Sequence, residues 1–262
     1  MEQQTIAFSG KGGVGKSTLL VLFLKILCED KKYENILTID ADPDSNVGDL
    51  LNYTVKFEDT ISGKMVLLKK KIEKRQIPLT ETKDRIIEND VFESLIEFEK
   101  FDLLELGHSK TKGCYCSINN LLKNIIGNLA KNYDIVLMDC PAGLEHFSRL
   151  TSKSASDLVI VVDPSKMSFH TLERILEISN SLELNFGKLW ILGNRFNEKA
   201  ESFLTERIKK INKPNINLIG ILPFDDRISE INLTDSNLLE ISSGNPFCKK
   251  FKDLIYKSGI LR

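Results

Sequence analysis

The sequence has no long hydrophobic run: no stretch of about 18 uncharged apolar residues occurs anywhere in its 262 residues. Met1 to Gln4 lead directly into an apolar strand pattern, without the regions of a signal peptide. We therefore expect no membrane span, no secretory leader and a cytoplasmic location. The 36 basic residues are balanced by 37 acidic ones. Because nucleic-acid binding requires a positive surface, we expect no nucleic-acid partner.

Cysteines are few, and their number is odd. Five cysteines in a chain expected to be cytosolic indicate thiols or metal ligands in place of a disulfide framework. The length suits one α/β unit that buries a substantial core, so we expect a single domain over residues 1–262.

A glycine-rich loop lies between an apolar strand pattern, Thr5 to Ser9, and a helix pattern that runs to Leu27. Its residues are Gly10, Lys11, Gly12, Gly13, Val14, Gly15, Lys16, Ser17 and Thr18. The spacing G-x-x-x-x-G-K-S predicts a phosphate site, because glycines let consecutive backbone N–H groups face one anion at a helix N-terminus. Lys16 would reach the β- and γ-phosphates, and the Ser17 hydroxyl would bind Mg²⁺.

An acidic loop follows the next apolar strand pattern, which begins at Asn35 and ends at Asp40. Its carboxylates would repel a nucleotide beside them unless a cation or a water lay between the two. Asp44 and Ser45 suit helix-capping and turn positions, whereas Asp42 fits such a position less well. Asp42 is therefore the candidate in this loop for a role in hydrolysis.

Further apolar strand patterns alternate with helix patterns along the chain. The pattern from Tyr133 ends at Asp139, which would hold the water shell of Mg²⁺ opposite Ser17. Residues 157–163 and 188–195 are further buried strand patterns. The alternation predicts an α/β P-loop NTPase fold, with a mostly parallel central sheet and helices on both faces.

The stretch from about residue 53 to residue 100 differs from its surroundings. It is charged and helix-prone, and it contains no glycine after Gly63. We interpret it as a charged helical insertion of two surface helices between core strands. Nearby acids balance its basic runs, which favours a solvated face, but a docking surface for a client protein stays open.

Two cysteines, Cys114 and Cys116, precede a pattern of apolar residues at helical spacing for which Ser117 is a natural N-cap. A helix N-terminus favours the thiolate, which is the form that binds metal. Two thiolates are too few for a structural tetrahedral site, which takes four protein ligands. A symmetric dimer would supply the other two.

The glycine loop resembles the deviant Walker A motif, K-G-G-x-G-K-S/T, of the MinD, ParA and nitrogenase iron-protein ATPases, because Lys11 is a second lysine within it. In that family the extra lysine reaches across a nucleotide-sandwich dimer to the partner's phosphates. The resemblance implies a homodimeric ATPase in which Lys11 and Lys16 serve catalysis. It also implies that Asp42 orients the attacking water and lies at the Mg²⁺ ion with Ser17 and Asp139.

The same resemblance implies the other nucleotide contacts. The Gly143 N–H would sense the γ-phosphate, and Asn194 with Arg195 would lie at the base. An asparagine amide offers both a donor and an acceptor, which match adenine. Pro223 and Asp225 belong to a segment that packs beside adenine in the family. A guanine-reading N-K-x-D is absent, which supports ATP over GTP.

A narrower resemblance, to the CooC-type carbon monoxide dehydrogenase accessory ATPases, extends over nearly the whole chain. It is carried by D-A-D-P-x-S-N from Asp40, by G-C-Y-C from Gly113 and by A-G-L-E-H from Ala142. Those ATPases are nickel-insertion factors that bind metal through C-x-C across a dimer. The resemblance implies Ni²⁺ or Zn²⁺ at Cys114 and Cys116, and a nickel-enzyme client of the carbon monoxide dehydrogenase or acetyl-CoA synthase type. His108 is interpreted as a loop residue.

Two alternatives stay open. The apolar residues Phe247, Phe251, Leu254 and Ile255 share one face of a short basic C-terminal helix, as in the membrane anchor of MinD. We expect this helix to pack against the body of the protein instead. An iron–sulfur redox ATPase is the other alternative. The sequence disfavours it, because no cysteine follows Asp139 at the distance seen in the nitrogenase iron protein.

Overall fold

A single sheet of eight strands organises the fold. The computed structural model describes residues 3–74, 76, 82–108, 124–142, 157–181, 186–211, 216–234 and 236–262. The strands are β1 (Gln4–Gly10), β2 (Ile36–Asp40), β3 (Leu95–Glu97), β4 (Asp102–Glu105), β5 (Ile135–Asp139), β6 (Asp157–Val162), β7 (Lys188–Gly193) and β8 (Ile216–Ile221). Their order across the sheet is β3-β4-β2-β5-β1-β6-β7-β8, and all neighbours are parallel except β3, which is antiparallel to β4.

Helices cover both faces of this sheet. They are α1 (Lys16–Glu29), α2 (Asn46–Leu50), α3 (Ile61–Glu73), α4 (Lys83–Glu93), α5 (Lys166–Ser181), α6 (Glu198–Ile211), α7 (Asp226–Ile231) and α8 (Pro246–Ser258). Residues 124–130 are also helical, and short 3₁₀ turns span Phe57–Asp59 and Leu238–Glu240. The prediction of an α/β fold with a mostly parallel sheet and helices on both faces is confirmed.

The central strands are buried on both faces, as continuous apolar runs predict for a parallel sheet. In β1, Ile6 and Phe8 contribute to a core shared with α1 and α8, whereas Ala7 points to a second core shared with α3 to α6. Apolar residues occur almost all round α1, which agrees with its position between the sheet and α8. The buried Phe23 ring contacts Phe8 edge-on, with the ring centroids 5.7 Å apart.

The charged segment before β4 forms α3 and α4, as predicted, and also an edge strand that the sequence analysis missed. β3 has only three residues and pairs through Ile96 with Leu103 of β4. Charged residues around it hide its pattern, and a short edge strand needs little apolar surface. At the other edge, β8 begins at Ile216, and Asn217 interrupts its apolar run.

The C-terminal helix α8 packs its apolar face into the core. Phe247, Phe251 and Ile255 are buried, and Phe251 contacts Phe23 with the ring centroids 6.4 Å apart. The Asn245 side chain accepts hydrogen bonds from the first helical N–H groups, and Gly259 ends the helix with φ of 69°. The expectation that this helix packs against the body is confirmed. Within the described ranges, no helix combines the length and apolarity needed to cross a bilayer.

We predict that Phe251→Ala lowers the free energy of unfolding by about 3–5 kcal/mol, because it leaves a cavity between α8 and α1. Urea unfolding followed by circular dichroism would measure the change. Lys250→Ala, an exposed position on the same helix, should change the free energy of unfolding by less than about 0.5 kcal/mol. A Phe251→Ala protein as stable as the wild type would show that α8 does not form part of the core.

Candidate nucleotide-binding site

The glycine loop joins β1 to α1, and contacts with neighbouring strands fix its shape. Gly10 approaches β6 so closely that a Cβ there would lie 2.4 Å from the carbonyl oxygen of Val161. Gly15 has φ of 92° and a Cβ there would lie 2.6 Å from the Asn194 Nδ2 atom. Both positions therefore require glycine. The first residues of α1, Lys16, Ser17 and Thr18, line the cleft next to this loop, as a phosphate cradle at a helix N-terminus requires.

A polar cleft of roughly 930 Å³ opens above this loop. Residues of the loop, of α2, of the segment after β5 and of the segment after α7 line it; among them are Lys16, Asp42, Asn46, Asp49, Pro141 and Asn232. A cleft of this size can take a nucleoside triphosphate. It lies at the carboxyl ends of the parallel strands, which is where ligands bind in open α/β sheets.

Ser17 and Asp139 meet at the base of the cleft. The Ser17 hydroxyl donates a hydrogen bond to Asp139 Oδ2, and Asp139 Oδ1 is buried without a hydrogen-bond partner. Burial raises the pKa of Asp139 to about 6, although the Ser17 hydrogen bond and the Lys16 charge oppose this shift. A buried carboxylate with an unused oxygen beside a hydroxyl fits Mg²⁺, which binds few protein oxygens and keeps several waters. These two residues would hold the ion, which would neutralise phosphate charge when bound.

The loop after β2 carries Asp42 to the phosphate-binding lysine. Asp42 Oδ2 lies 3.6 Å from Lys16 Nζ, and both side chains are largely buried. Asp40 fixes the loop from below, because its Oδ1 accepts from the Asp42 N–H at 3.0 Å and its Oδ2 from the Val47 N–H at 2.9 Å. Burial, and the charge of nearby Asp139, raise the pKa of Asp40. The structure thus brings Lys16, Asp42 and Asp139 together.

Lys11 points away from this cluster. Its Nζ lies 3.5 Å from Asp163 Oδ2, just beyond the end of β6, and about a third of the side chain is exposed. Asp163 also accepts hydrogen bonds from the Ser165 backbone and hydroxyl. Burial alone would raise the pKa of Asp163, but these hydrogen bonds and the Lys11 charge lower it. The sequence analysis gave Asp163 no role, even though it ends a buried parallel strand as Asp40 and Asp139 do.

Asn194 and Arg195, at the end of β7, support the backbone of the glycine loop. Asn194 Nδ2 donates to the Val14 carbonyl oxygen at 2.8 Å, and Arg195 Nη1 donates to the Gly13 carbonyl oxygen at 3.0 Å. Arg195 has φ of 60°, an uncommon conformation for a residue other than glycine. This contact with the loop was not foreseen. The contact of both residues with adenine stays a prediction.

Pro223 and Asp225 line a smaller adjoining cavity of about 40 Å³, together with Gly15 and Asn194. This places them beside the glycine loop, on the side where the family resemblance puts adenine. Asp225 also caps α7, because its Oδ1 accepts from the Ile228 N–H at 3.0 Å. Their contact with the base stays a prediction.

Three predicted site residues, Cys114, Cys116 and Gly143, lie outside the described residues. Cys140 lies within the described residues and is buried, and burial raises the pKa of its thiol. In the described part of the chain, no group of three or more histidine, cysteine, aspartate or glutamate side chains is arranged to hold a metal ion.

We predict that Asp139→Asn reduces Mg²⁺-dependent ATP hydrolysis at least roughly 100-fold, because the amide cannot replace the charge that holds the ion. In the wild type, a proton competes with Mg²⁺ as the pH falls through about 6. Below that pH the Mg²⁺ concentration for half-maximal rate should rise about tenfold per pH unit. Phosphate-release assays at several Mg²⁺ concentrations would measure both effects.

Asp134→Asn is the matched control for this prediction. Asp134 precedes the other end of β5, where its Oδ2 accepts from the Glu34 and Asn35 N–H groups at 3.1 and 3.0 Å. That variant should keep the wild-type rate and Mg²⁺ dependence. Equal rates for Asp139→Asn and the wild type would remove Asp139 from the ion site.

Comparison with known proteins agrees with this geometry. A family described as an AAA domain matches residues 3–188. The uncharacterized ATP-binding protein MJ0685 of Methanocaldococcus jannaschii is 38% identical over 252 residues, covering 96% of this chain and 97% of the relative. The carbon monoxide dehydrogenase accessory protein CooC of Rhodospirillum rubrum is 26% identical over 255 residues, covering 93% of this chain and 91% of the relative.

The apo structure of McdA from Cyanothece is similar in fold, with a TM-score of 0.70, 20% identity and coverage of 98% of this chain and 99% of that one. The family match covers more than half of the chain, and its residues include the glycine loop, Asp42 and Asp139. The chain therefore belongs to this AAA-domain family and is a P-loop ATPase of the MinD and ParA type.

Proposed function

We propose that this protein is an ATP-hydrolysing metallochaperone that dimerises with nucleotide and metal, and that helps to insert nickel into carbon monoxide dehydrogenase or a related nickel enzyme. The observation that carries the proposal is the C-x-C pair, Cys114 and Cys116, in the chain of a P-loop ATPase. Similarity to CooC over more than nine-tenths of both chains supports it. The proposal treats residues 1–262 as one ATPase domain.

The cleft residues would bind ATP and hydrolyse it. Lys16 lies in the phosphate-binding loop, and Ser17 with Asp139 fits the magnesium ion. Asp42 is 3.6 Å from Lys16 in this structure and would orient water once phosphate oxygens take up the lysine. Phosphoryl transfer needs little more than such positioning and charge neutralisation.

The metal half of the proposal depends on two subunits. Each chain offers two neighbouring thiolates, and a closed tetrahedral site takes four. A two-fold axis beside the cysteine segments would bring the two pairs to one Ni²⁺ or Zn²⁺ ion. Thiolate ligands suit both metals. Which ion is bound therefore depends on its availability in the cell as well as on its affinity for the site.

The segment that leads to the cysteines starts at the nucleotide cleft. After β4 the Leu106 N–H donates to the Asp40 carbonyl oxygen at 2.9 Å, and Asp40 also begins the loop of Asp42. Movement of that loop on hydrolysis would therefore act on the chain at Leu106, eight residues before Cys114. Because coupling is reciprocal, metal would favour the closed dimer as much as the closed dimer favours metal.

A MinD/ParA-like positioning ATPase that acts at a membrane surface is the alternative, and the septum site-determining proteins MinD among the relatives of this chain support it. The burial of Phe247, Phe251 and Ile255 argues against it, because the apolar face of α8 is occupied by the protein core. Sedimentation with anionic liposomes in the presence of ATP would favour this alternative. A visible absorption band from anaerobically purified protein would favour an iron–sulfur redox ATPase.

We predict that the Cys114→Ser, Cys116→Ser double variant no longer dimerises on addition of Ni²⁺ or Zn²⁺, because the shared site loses all four sulfur ligands. Light scattering after gel filtration would measure the mass with and without metal, and metal analysis should give one ion per two wild-type chains. The matched control is Cys248→Ser, which removes a half-buried thiol on α8. Metal-induced dimerisation that persisted in the double variant would overturn the metallochaperone proposal.

The role of Lys11 across the dimer can be tested by mixing two inactive variants, Lys11→Ala and Lys16→Ala. In a mixed dimer the Lys11→Ala subunit binds ATP and its partner supplies the intact Lys11. Random pairing should therefore restore about a quarter of the wild-type rate, since half of the dimers are mixed and each has one working site. If Lys11 acts within its own subunit, neither site is complete and the mixture stays inactive. Phosphate release before and after mixing would decide.

A further inference from the structure

The short helix α2 forms part of the cleft wall, yet no side chain of its own segment caps its N-terminus. Ser45 occupies the N-cap position without a side-chain hydrogen bond to the helix. Two carboxyl groups from neighbouring strands take that place. Asp40 at the end of β2 accepts from the Val47 N–H, and the carboxyl group of Glu105 at the end of β4 lies against the Gly48 backbone, where the Gly48 N–H favours its charged form. The sheet therefore places two carboxyl groups at helix donors that would otherwise lack partners.

Glu105 is held tightly in this position. Only 3% of its surface is exposed, and it lies directly opposite Asp40 in the parallel pairing of β4 with β2. A Cβ on Gly48 would lie 2.5 Å from Glu105 Oε1, so the carboxyl group is in close contact with the helix backbone. The same Oε1 atom is buried without a hydrogen-bond partner. A buried carboxyl group with an unpaired oxygen carries a desolvation cost, and this one lies against the backbone of the helix that forms the cleft wall.

The charged groups around Glu105 are acidic. Asp49 on α2 and Asp40 on β2 face it. Burial raises the pKa of Glu105 to about 7, with a small contribution from Asp49, while the Gly48 hydrogen bond opposes the shift. Both the neutral and the ionised carboxyl group can accept from the Gly48 N–H. Glutamine is therefore a close substitute, because it keeps an acceptor oxygen and the side-chain shape.

We propose that Glu105 is a positioning residue for ATP hydrolysis. It holds α2 at Gly48 while Asp40 holds the same helix at Val47, and together they fix the far end of the loop that carries Asp42. Without Glu105, one carboxyl group alone tethers the helix to the sheet. This inference rests on the role of Asp42 in hydrolysis proposed above. Glu105 itself is absent from the cleft lining and acts only through α2.

Loss of Glu105 should lower the turnover rate and leave ATP binding nearly unchanged. The phosphate cradle is built by the glycine loop, which Asn194 and Arg195 hold from the opposite side of the cleft. Displacing α2 therefore moves Asp42 relative to the phosphates and leaves most nucleotide contacts in place. Misplacement of a positioning group by about 1 Å can cost up to roughly 100-fold in rate.

The test compares Glu105→Ala, Glu105→Gln and the wild type with Mg²⁺ as the sole added metal, so that the result does not depend on the cysteine pair. ATP binding is titrated for each protein, and kcat is expressed per bound nucleotide so that unfolded molecules do not count. We expect kcat of Glu105→Ala to fall about tenfold while the Kd for ATP changes less than about threefold. Glu105→Gln should return kcat to within about twofold of the wild type.

Asp102→Asn is the matched control, because Asp102 lies at the other end of β4, where it accepts a hydrogen bond from the Tyr133 hydroxyl at 2.5 Å. This variant should keep the wild-type kcat. The proposal is overturned if Glu105→Ala retains the wild-type kcat per bound nucleotide, or if Glu105→Gln is impaired as strongly as Glu105→Ala. It is equally overturned if Asp102→Asn loses as much turnover as Glu105→Ala. Failure of metal binding in the cysteine variants would leave this result unaffected.

Discussion

The rest of the site depends on one constraint, which is the burial of several carboxyl groups at the carboxyl ends of the strands. Glu105, Asp40 and Asp139 end three adjacent parallel strands, and all three are buried. Lys16 lies beside Asp42, and its charge also acts on Asp139. Burying like charges together is unfavourable unless hydrogen bonds and cations compensate. Backbone N–H groups supply part of that compensation here, and Mg²⁺ would supply more.

This concentration of carboxyl groups links local stability to ligand binding. Burial raises the pKa values of Asp40, Glu105 and Asp139, and neighbouring carboxylates add to each shift: Asp139 and Glu105 act on Asp40, Asp49 acts on Glu105, and Asp42 acts on Asp139. A cation between Asp139 and the phosphates relieves the repulsion. Any ligand that binds the folded protein more tightly than the unfolded chain stabilises the fold, so a bound Mg²⁺ ion that offset this buried negative charge would also stabilise the folded state.

Much of the fold and of the phosphate site could be predicted from the sequence. The glycine loop and the apolar runs ending at Asp40 and Asp139 are local patterns, and parallel pairing brings their ends together. β3 could not be predicted in this way, because a three-residue edge strand has no distinctive pattern. Nor could the pairing of Lys11 with Asp163, since this contact depends on which strands become neighbours.

The contact of Glu105 with α2 could not be predicted from the sequence for the same reason. Its backbone lies on β4 and its hydrogen-bond donor on α2, some 57 residues earlier in the chain. A helix cap supplied by a distant strand leaves no signature at the spacing where capping is normally sought. Asn194 is the opposite case. The family resemblance predicts that it recognises the base, whereas the structure shows its amide bound to the loop backbone at Val14.

That contact has a consequence for nucleotide exchange. Asn194 and Arg195 bind the carbonyl groups of Val14 and Gly13, so the loop keeps its curvature without an anion in it. A cradle that is already shaped loses little conformational entropy when a nucleotide enters and regains little when one leaves. Release of ADP and capture of fresh ATP would then be governed by access to the cleft instead of by refolding of the loop.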